Sequence, residues 1–118
     1  MTTATLAEPA TGFHDLNLNP ALLDAIRHAQ YVTPTPIQAA LIPHALDGRD
    51  VIGQAQTGTG KTAAFLLPFL NTWREDEETP GPHCLVLAPT RELVVQVNEE
   101  ARKLAPSPAC RCVPIYGG

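Results

Sequence analysis

Cysteine is too sparse, and too irregularly placed, for a disulfide framework or a four-ligand zinc site. Cys84, Cys110 and Cys112 are an odd number and contain no CxxC pair. Reduced, cytosolic thiols are the expectation. His14, His28, His44 and His83 are scattered and make no ligand cluster with them, so no metal held by Cys and His is expected. Basic charge is also short: 8 Lys and Arg stand against 12 Asp and Glu, a formal charge of −4. That balance argues against capture of nucleic acid by bulk electrostatic attraction. It leaves room for a local phosphate site, because backbone N–H groups and helix N-termini hold anions without registering in net charge. No run of 18 apolar residues occurs, and the first dozen residues lack a charged stretch followed by an apolar one. Neither membrane insertion nor export is therefore expected, and a cytoplasmic location is.

What is present is an ordinary globular composition, 44% hydrophobic and 17% charged over 118 residues, enough for one domain. A chain of this length buries only roughly 60 to 70% of its unfolded surface, so losing neighbouring strands of a larger sheet would leave it marginal. Residues 1–12 are rich in Thr and Ala and carry Pro9 and Gly12, which reads as a disordered lead-in. Residues 13–118 read as the domain.

Helix starts are marked twice by a capping residue followed by proline: Asn19-Pro20, leading to about His28, and Thr35-Pro36, leading through Leu46. Val51-Ile52-Gly53 reads as a short strand, followed by a Gly/Thr-rich loop and a helix from Lys61 to about Leu70 despite Pro68. Residues 74–82, with four consecutive acids, read as a solvated linker. Cys84-Leu85-Val86-Leu87-Ala88 is continuously apolar, as expected of a strand covered on both faces, and helical periodicity follows from Glu92 to Leu104. Cys112-Val113-Pro114-Ile115-Tyr116 reads as a third strand, with Pro114 suiting an edge. Strands alternating with helices imply an α/β fold with a parallel sheet flanked by helices.

The strongest chemical signal is Ala55-Gln56-Thr57-Gly58-Thr59-Gly60-Lys61-Thr62, set between strand and helix. This is a Walker A phosphate loop whose usual opening Gly is Ala55. Gly58 and Gly60 let the backbone turn its N–H groups inward. Lys61 suits the β and γ phosphates of a nucleoside triphosphate, and Thr62 can offer its hydroxyl to Mg²⁺ held by the nucleotide. The loop by itself leaves ATP and GTP both open.

Upstream, Tyr31-Val32-Thr33-Pro34-Thr35-Pro36-Ile37-Gln38 closely resembles the Q motif of DEAD-box RNA helicases, and Phe13 stands 17 positions before Gln30, where that motif has an isolated aromatic. The resemblance assigns adenine recognition to Gln38, base packing to Tyr31, and a place in the nucleotide site to Phe13. A side-chain amide suits adenine because it carries both a donor and an acceptor. The competing reading, the weaker of the two, makes Tyr31 and Gln38 a core aromatic and a helix-surface amide beside a proline turn. The family has Gly where this chain has Gln30, a position expected to need positive φ. Residues 55–62 also resemble the family's form of motif I, in which an opening Ala is common.

Pro89-Thr90-Arg91-Glu92-Leu93 matches motif Ia of the same family, and Gly117-Gly118 resembles the Gly pair that follows it. The resemblance implies that Pro89, Thr90, Arg91, Gly117 and Gly118 lie along RNA, with Thr90 and Arg91 on its phosphates. Without it, Thr90 is a helix cap and Arg91 the partner of a nearby acid. The resemblance covers residues 13–118 with motifs in family order, and implies part of a RecA-like domain of an ATP-dependent RNA helicase that uses ATP, Mg²⁺ and RNA. The chain has no Asp-Glu-Ala-Asp segment, so the expectation is a stretch that ends before that motif, works with a second RecA-like domain of the same longer protein, and lacks hydrolysis by itself. A DNA-acting superfamily 2 helicase and a non-enzymatic binding module are the competing expectations.

Overall fold

A computed structural model describes residues 2–3 (backbone only), 12–56, 60–75 and 80–118. The elements in order are β1 (Thr2–Thr3), a 3-10 turn (Phe13–Leu16), α1 (Pro20–His28), α2 (Pro36–Leu46), β2 (Val51–Ile52), α3 (Lys61–Thr72) and α4 (Arg91–Leu104). Thr57, Gly58 and Thr59 of the phosphate loop lie outside the described residues.

The helices begin where local chemistry dictates. Asn19 caps α1 by accepting from Leu22 N at 2.9 Å, with Pro20 at the first helical position, where its missing N–H costs nothing. Thr35 caps α2, again followed by proline, and Thr90 caps α4 by accepting from Leu93 N at 3.2 Å. Glu92 in the first turn of α4 and Arg102 and Lys103 in its last turn complement the helix dipole.

The end of α1 shows why one departure from the family pattern matters. Gln30 N donates to Arg27 O at 3.0 Å and Tyr31 N to Ile26 O at 3.1 Å, the paired bonds of a Schellman stop. That stop requires a left-handed residue, and Gln30 occupies it at φ 65°. A side chain in this conformation costs about 1–2 kcal/mol, which glycine would avoid.

The core is aliphatic and lies among the helices. Leu22 and Ile26 of α1, Leu66, Leu67 and Leu70 of α3, and Ala101 and Leu104 of α4 meet with Phe13, Leu16, Leu18 and Ile42. A smaller cluster of Ile37, Leu41 and Ala64 sits beneath β2, against Val51 and Ala55. Leu22, Ile26, Leu41, Ile42, Leu67 and Leu104 are fully buried, and truncating any of them to Ala would cost about 2–5 kcal/mol. Helix α3 is the hub, touching α1, α2 and α4. Its far end is fastened to the start of α1 by two hydrogen bonds: Asn19 N donates to Asn71 Oδ1 at 2.7 Å, and Asn19 Nδ2 donates to Asn71 O at 2.9 Å.

The sheet differs from expectation. Among the described residues the only ladder is β1 with β2, two residues each, running parallel with Thr2 opposite Val51 and Thr3 opposite Ile52. Thr2–Thr3 falls in the stretch read as a disordered lead-in. The runs 84–88 and 112–116, read as strands, are not strands here. A strand is defined by a neighbouring backbone to bond with, and among the described residues none forms a ladder with either run. Coverage is missing as well: Leu85 is 81% exposed, Leu87 85%, Val113 74% and Ile115 84%. No helix among the described residues is long and apolar enough to cross a membrane.

Candidate functional site

Helix α3 starts differently from α1, α2 and α4. Its N-cap is Gly60, at φ 84°, which has no side chain to satisfy the leading amides. Lys61 and Thr62 are the first two helical residues, and both are partly buried. An open cleft of about 480 Å³ lies beside this start, lined by Gly53, Gln54, Ala55, Gln56 and Lys61. Cation, helix N-terminus and concavity coincide, which is the arrangement that holds a phosphate chain. Sequence reading passed over Gly53 and Gln54. Gly53 carries a signal in retrospect: a Cβ there would lie 2.6 Å from Leu41 Cδ1 and 3.2 Å from Ile37 Cδ1, so a side chain at this position would require those two to shift.

Thr35 and Gln38 reach the same place from α2. Gln38 N donates to Thr35 Oγ1 at 3.4 Å, and Thr35 N donates back to Gln38 Oε1 at 2.9 Å, forming a capping box. Gln38 Nε2 then donates to Gly60 O at 3.2 Å. The side chain is 2% exposed, a buried amide with both ends engaged. Gly60 is required twice over, by its positive φ and because a Cβ would collide with Gln38 Nε2 and stand 2.9 Å from Thr35 Oγ1.

A second group forms at the start of α4. Arg91 Nη2 donates to Gly117 O and lies 3.4 Å from Gly118 O, and its guanidinium carbon is 5.2 Å from the centre of the Tyr116 ring. Pro89, Thr90, Gly117 and Gly118 are exposed around it. Elsewhere, partial desolvation pushes the Cys84 and Cys110 thiols above their ordinary pKa, and the Cys112 thiol adds to both shifts. All three cysteines are free thiols.

Residues 35–118 match the DEAD/DEAH box helicase family. The chain belongs to that family. It is 50% identical over 108 residues to the DEAD-box ATP-dependent RNA helicase CshA of Bacillus cereus, covering 92% of this chain and 20% of that protein. It is 52% identical over 114 residues to the ATP-dependent RNA helicase DeaD of Klebsiella pneumoniae, covering 96% of this chain and 17% of that one. The DEAD/DEAH box chain thus spans about a fifth of the length of the curated relatives it matches. Among solved structures it resembles the RNA-helicase Prp28 from Chaetomium thermophilum bound to ADP, with a TM-score of 0.84, 49% identity, and coverage of 95% of this chain and 28% of that one.

Within this DEAD/DEAH box chain the two aromatics expected at the nucleotide lie together, with ring centres 6.3 Å apart at 37°. Phe13 is buried in the helical core, and Tyr31 packs against that core from its edge. Neither they nor Gln38 is among the cleft-lining residues named above. Thr90 does cap α4, and Arg91 is paired with carbonyls and a ring rather than with an acid. Tyr116 was not legible as a participant, because it acts through Arg91, which is distant in sequence.

Proposed function

We propose that this chain is the nucleotide-gripping part of an ATP-dependent RNA helicase, within a RecA-like domain whose parallel sheet is completed by the longer protein. One observation carries the reading: Lys61 lines an open cleft at a helix start that has no side-chain cap. The relatives named as ATP-dependent RNA helicases and the ADP-bound neighbour support it.

In this reading the cleft residues Ala55 and Gln56, with Thr57, Gly58, Thr59 and Gly60, wrap the phosphates. The Lys61 ammonium binds the β and γ oxygens, and the Thr62 hydroxyl faces Mg²⁺ carried by the nucleotide. Bound Mg²⁺ supplies neutralisation of phosphate charge. Thr62 at the second helical position, with the amides of the first turn beside it, fits that donor set. Gln38 has one N–H and one lone pair left after its contacts to Gly60 and Thr35, enough to read adenine N7 and N6 together. Tyr31, with Phe13 behind it, forms the apolar side of the base site. Pro89, Thr90 and Arg91 with Gly117 and Gly118 form the strip that meets RNA. In the longer protein, ATP binding closes this domain and a second RecA-like domain over RNA in the cytoplasm. The 118 residues alone bind ATP without hydrolysing it, since the carboxylates and arginine that support phosphoryl transfer are not in this stretch.

Titration with fluorescent ADP and GDP plus Mg²⁺ tests the site. Saturable ADP binding, at least tenfold tighter than GDP and weakened about 10- to 100-fold in Lys61→Ala, is expected from the loss of one charged hydrogen-bonding group. A folded chain that binds neither nucleotide, or binds GDP equally well, overturns the assignment.

A further inference from the structure

The nucleotide site proposed above draws on two separate stretches of chain. Phe13, Tyr31 and Gln38 supply the base side, and Gly60, Lys61 and Thr62 at the start of α3 supply the phosphate side. Two polar ties cross between these stretches. One is the bond from Gln38 Nε2 to Gly60 O, at the start of α3. The other lies at the opposite end of α3, and it is made by one residue that closes two helices. Asn19 Oδ1 accepts from Leu22 N at 2.9 Å and caps α1. Asn19 Nδ2 donates at 2.9 Å to Asn71 O, one of the last carbonyls of α3, which the helix itself leaves without a partner. Asn71 Oδ1 in turn accepts from Asn19 N at 2.7 Å. The last turn of α3 has no basic residue to serve its carbonyls, and Asn19 takes that task. A side-chain amide suits both helices because it carries an acceptor and a donor. Aspartate has no donor, and serine, one bond shorter, ends where the amide branches toward α3.

We propose that Asn19 and Asn71 are positioning residues for the nucleotide: their paired bonds fix the spacing between the adenine side and the phosphate side of the site. The proposal rests on the nucleotide-binding reading above and deepens it. Both helices lead from this tie to the site. Helix α1 runs for 9 residues, about 14 Å, to the Schellman stop from which Tyr31 emerges. Helix α3 runs back from Asn71 for about 15 Å to Lys61. The chain continues from Tyr31 to Gln38, whose bond to Gly60 completes a closed frame of α1, the start of α2 and α3. Opened at Asn19, the frame would keep each side of the site intact, but their separation would be left to the apolar packing of Leu22, Ile26, Leu67 and Leu70. Such packing is non-directional, whereas hydrogen bonds fix register. A ligand that spans both sides depends on that separation, and a ligand that touches the phosphate side alone does not. A tie that merely held the fold together would affect both ligands alike.

The test uses the full-length protein and isothermal titration calorimetry with two ligands, ADP with Mg²⁺ and inorganic pyrophosphate with Mg²⁺. Asn19→Ser keeps the α1 cap and removes the donor to Asn71 O, and Asn71→Leu removes the acceptor for Asn19 N. Each is expected to weaken ADP about tenfold and to leave pyrophosphate within about twofold of the unsubstituted protein. Asn71→Asp keeps both acceptors and should hold ADP within about twofold. Unchanged ADP affinity in Asn19→Ser and Asn71→Leu would overturn the proposal. So would parallel losses of ADP and pyrophosphate, the signature of a tie that only stabilises the fold, or an Asn71→Asp variant as weak as Asn71→Leu. Failure of the unsubstituted protein to bind ADP or pyrophosphate would overturn the nucleotide reading itself, an outcome distinct from all of these.

Discussion

Gln38 reaches Gly60 across 22 positions of chain, and its Nε2 donates to that glycine's carbonyl at 3.2 Å while its Oε1 accepts from Thr35 N. One amide thus closes the first turn of α2 and fastens it to the residue from which α3 departs. Gln38→Ala removes both bonds and should cost about 1–2 kcal/mol, together with most of the ADP affinity. Gln38→Glu keeps the acceptor for Thr35 but sets a carboxylate against the Gly60 carbonyl, so it should also lose ADP binding while preserving the α2 cap. Urea unfolding of both variants checks this; wild-type stability in Gln38→Ala would show that the tie contributes nothing.

Gly60→Ala should be among the most damaging single changes in the chain. Its φ of 84° excludes a side chain at low energy, and the new Cβ would meet Gln38 and Thr35. A loss of about 2 kcal/mol or more is expected, with nucleotide binding abolished. Thermal unfolding and ADP titration of the variant measure the two effects, and a stable variant that still binds ADP contradicts the geometry.

Gln30→Gly should act in the opposite direction. The Schellman stop is already formed around a left-handed Gln30, so glycine relieves about 1–2 kcal/mol of strain, offset in part by its greater freedom when unfolded. The expected result is a Tm a few degrees higher with ADP affinity undiminished. A lower Tm would mean that the glutamine side chain contributes more than the backbone strain costs.

The cysteines predict an alkaline sensitivity. Burial, and then the Cys112 thiol, raise Cys84 and Cys110 above the ordinary value of 9.0, so the folded chain favours the neutral thiol. For a group raised in the folded state, the stabilisation is full below the unfolded pKa and disappears as pH climbs through the folded one. Unfolding followed from about pH 7 to about pH 10 should show a loss that is smaller in Cys84→Ser/Cys110→Ser, because serine does not titrate in this range. Alkylation of both thiols at neutral pH should also be slower than that of free cysteine; an equal rate would contradict the shift.

The helices were legible because caps and periodicity are local: Asn19-Pro20, Thr35-Pro36 and Thr90 each mark a start that the structure places at that residue. The need for positive φ at Gln30 was legible for the same reason. The sheet was not. The apolar runs 84–88 and 112–116 announce strands, but a strand depends on a neighbouring backbone that no local pattern supplies, and Leu85, Leu87, Val113 and Ile115 stand bare. At the site, sequence located the phosphate loop and Lys61 yet gave no sign that Gln38 would be bonded to Gly60 or that Arg91 would lie on Tyr116. Both are contacts between distant segments, and residue types alone do not name their partners.

The pair of bonds between Asn19 and Asn71 sets the mechanics of α3. This helix of 12 residues is about 18 Å long, begins at the phosphate loop and is held at its far end by Asn71. It is a rod held at its far end by two hydrogen bonds and at its start by one, from Gln38 to the Gly60 carbonyl. A displacement of about 1 Å at the Lys61 end, about 15 Å from Asn71, is then a swing of about 4° around Asn71, which the side chains of α1, α2 and α4 packed on this helix would have to accommodate as rotation.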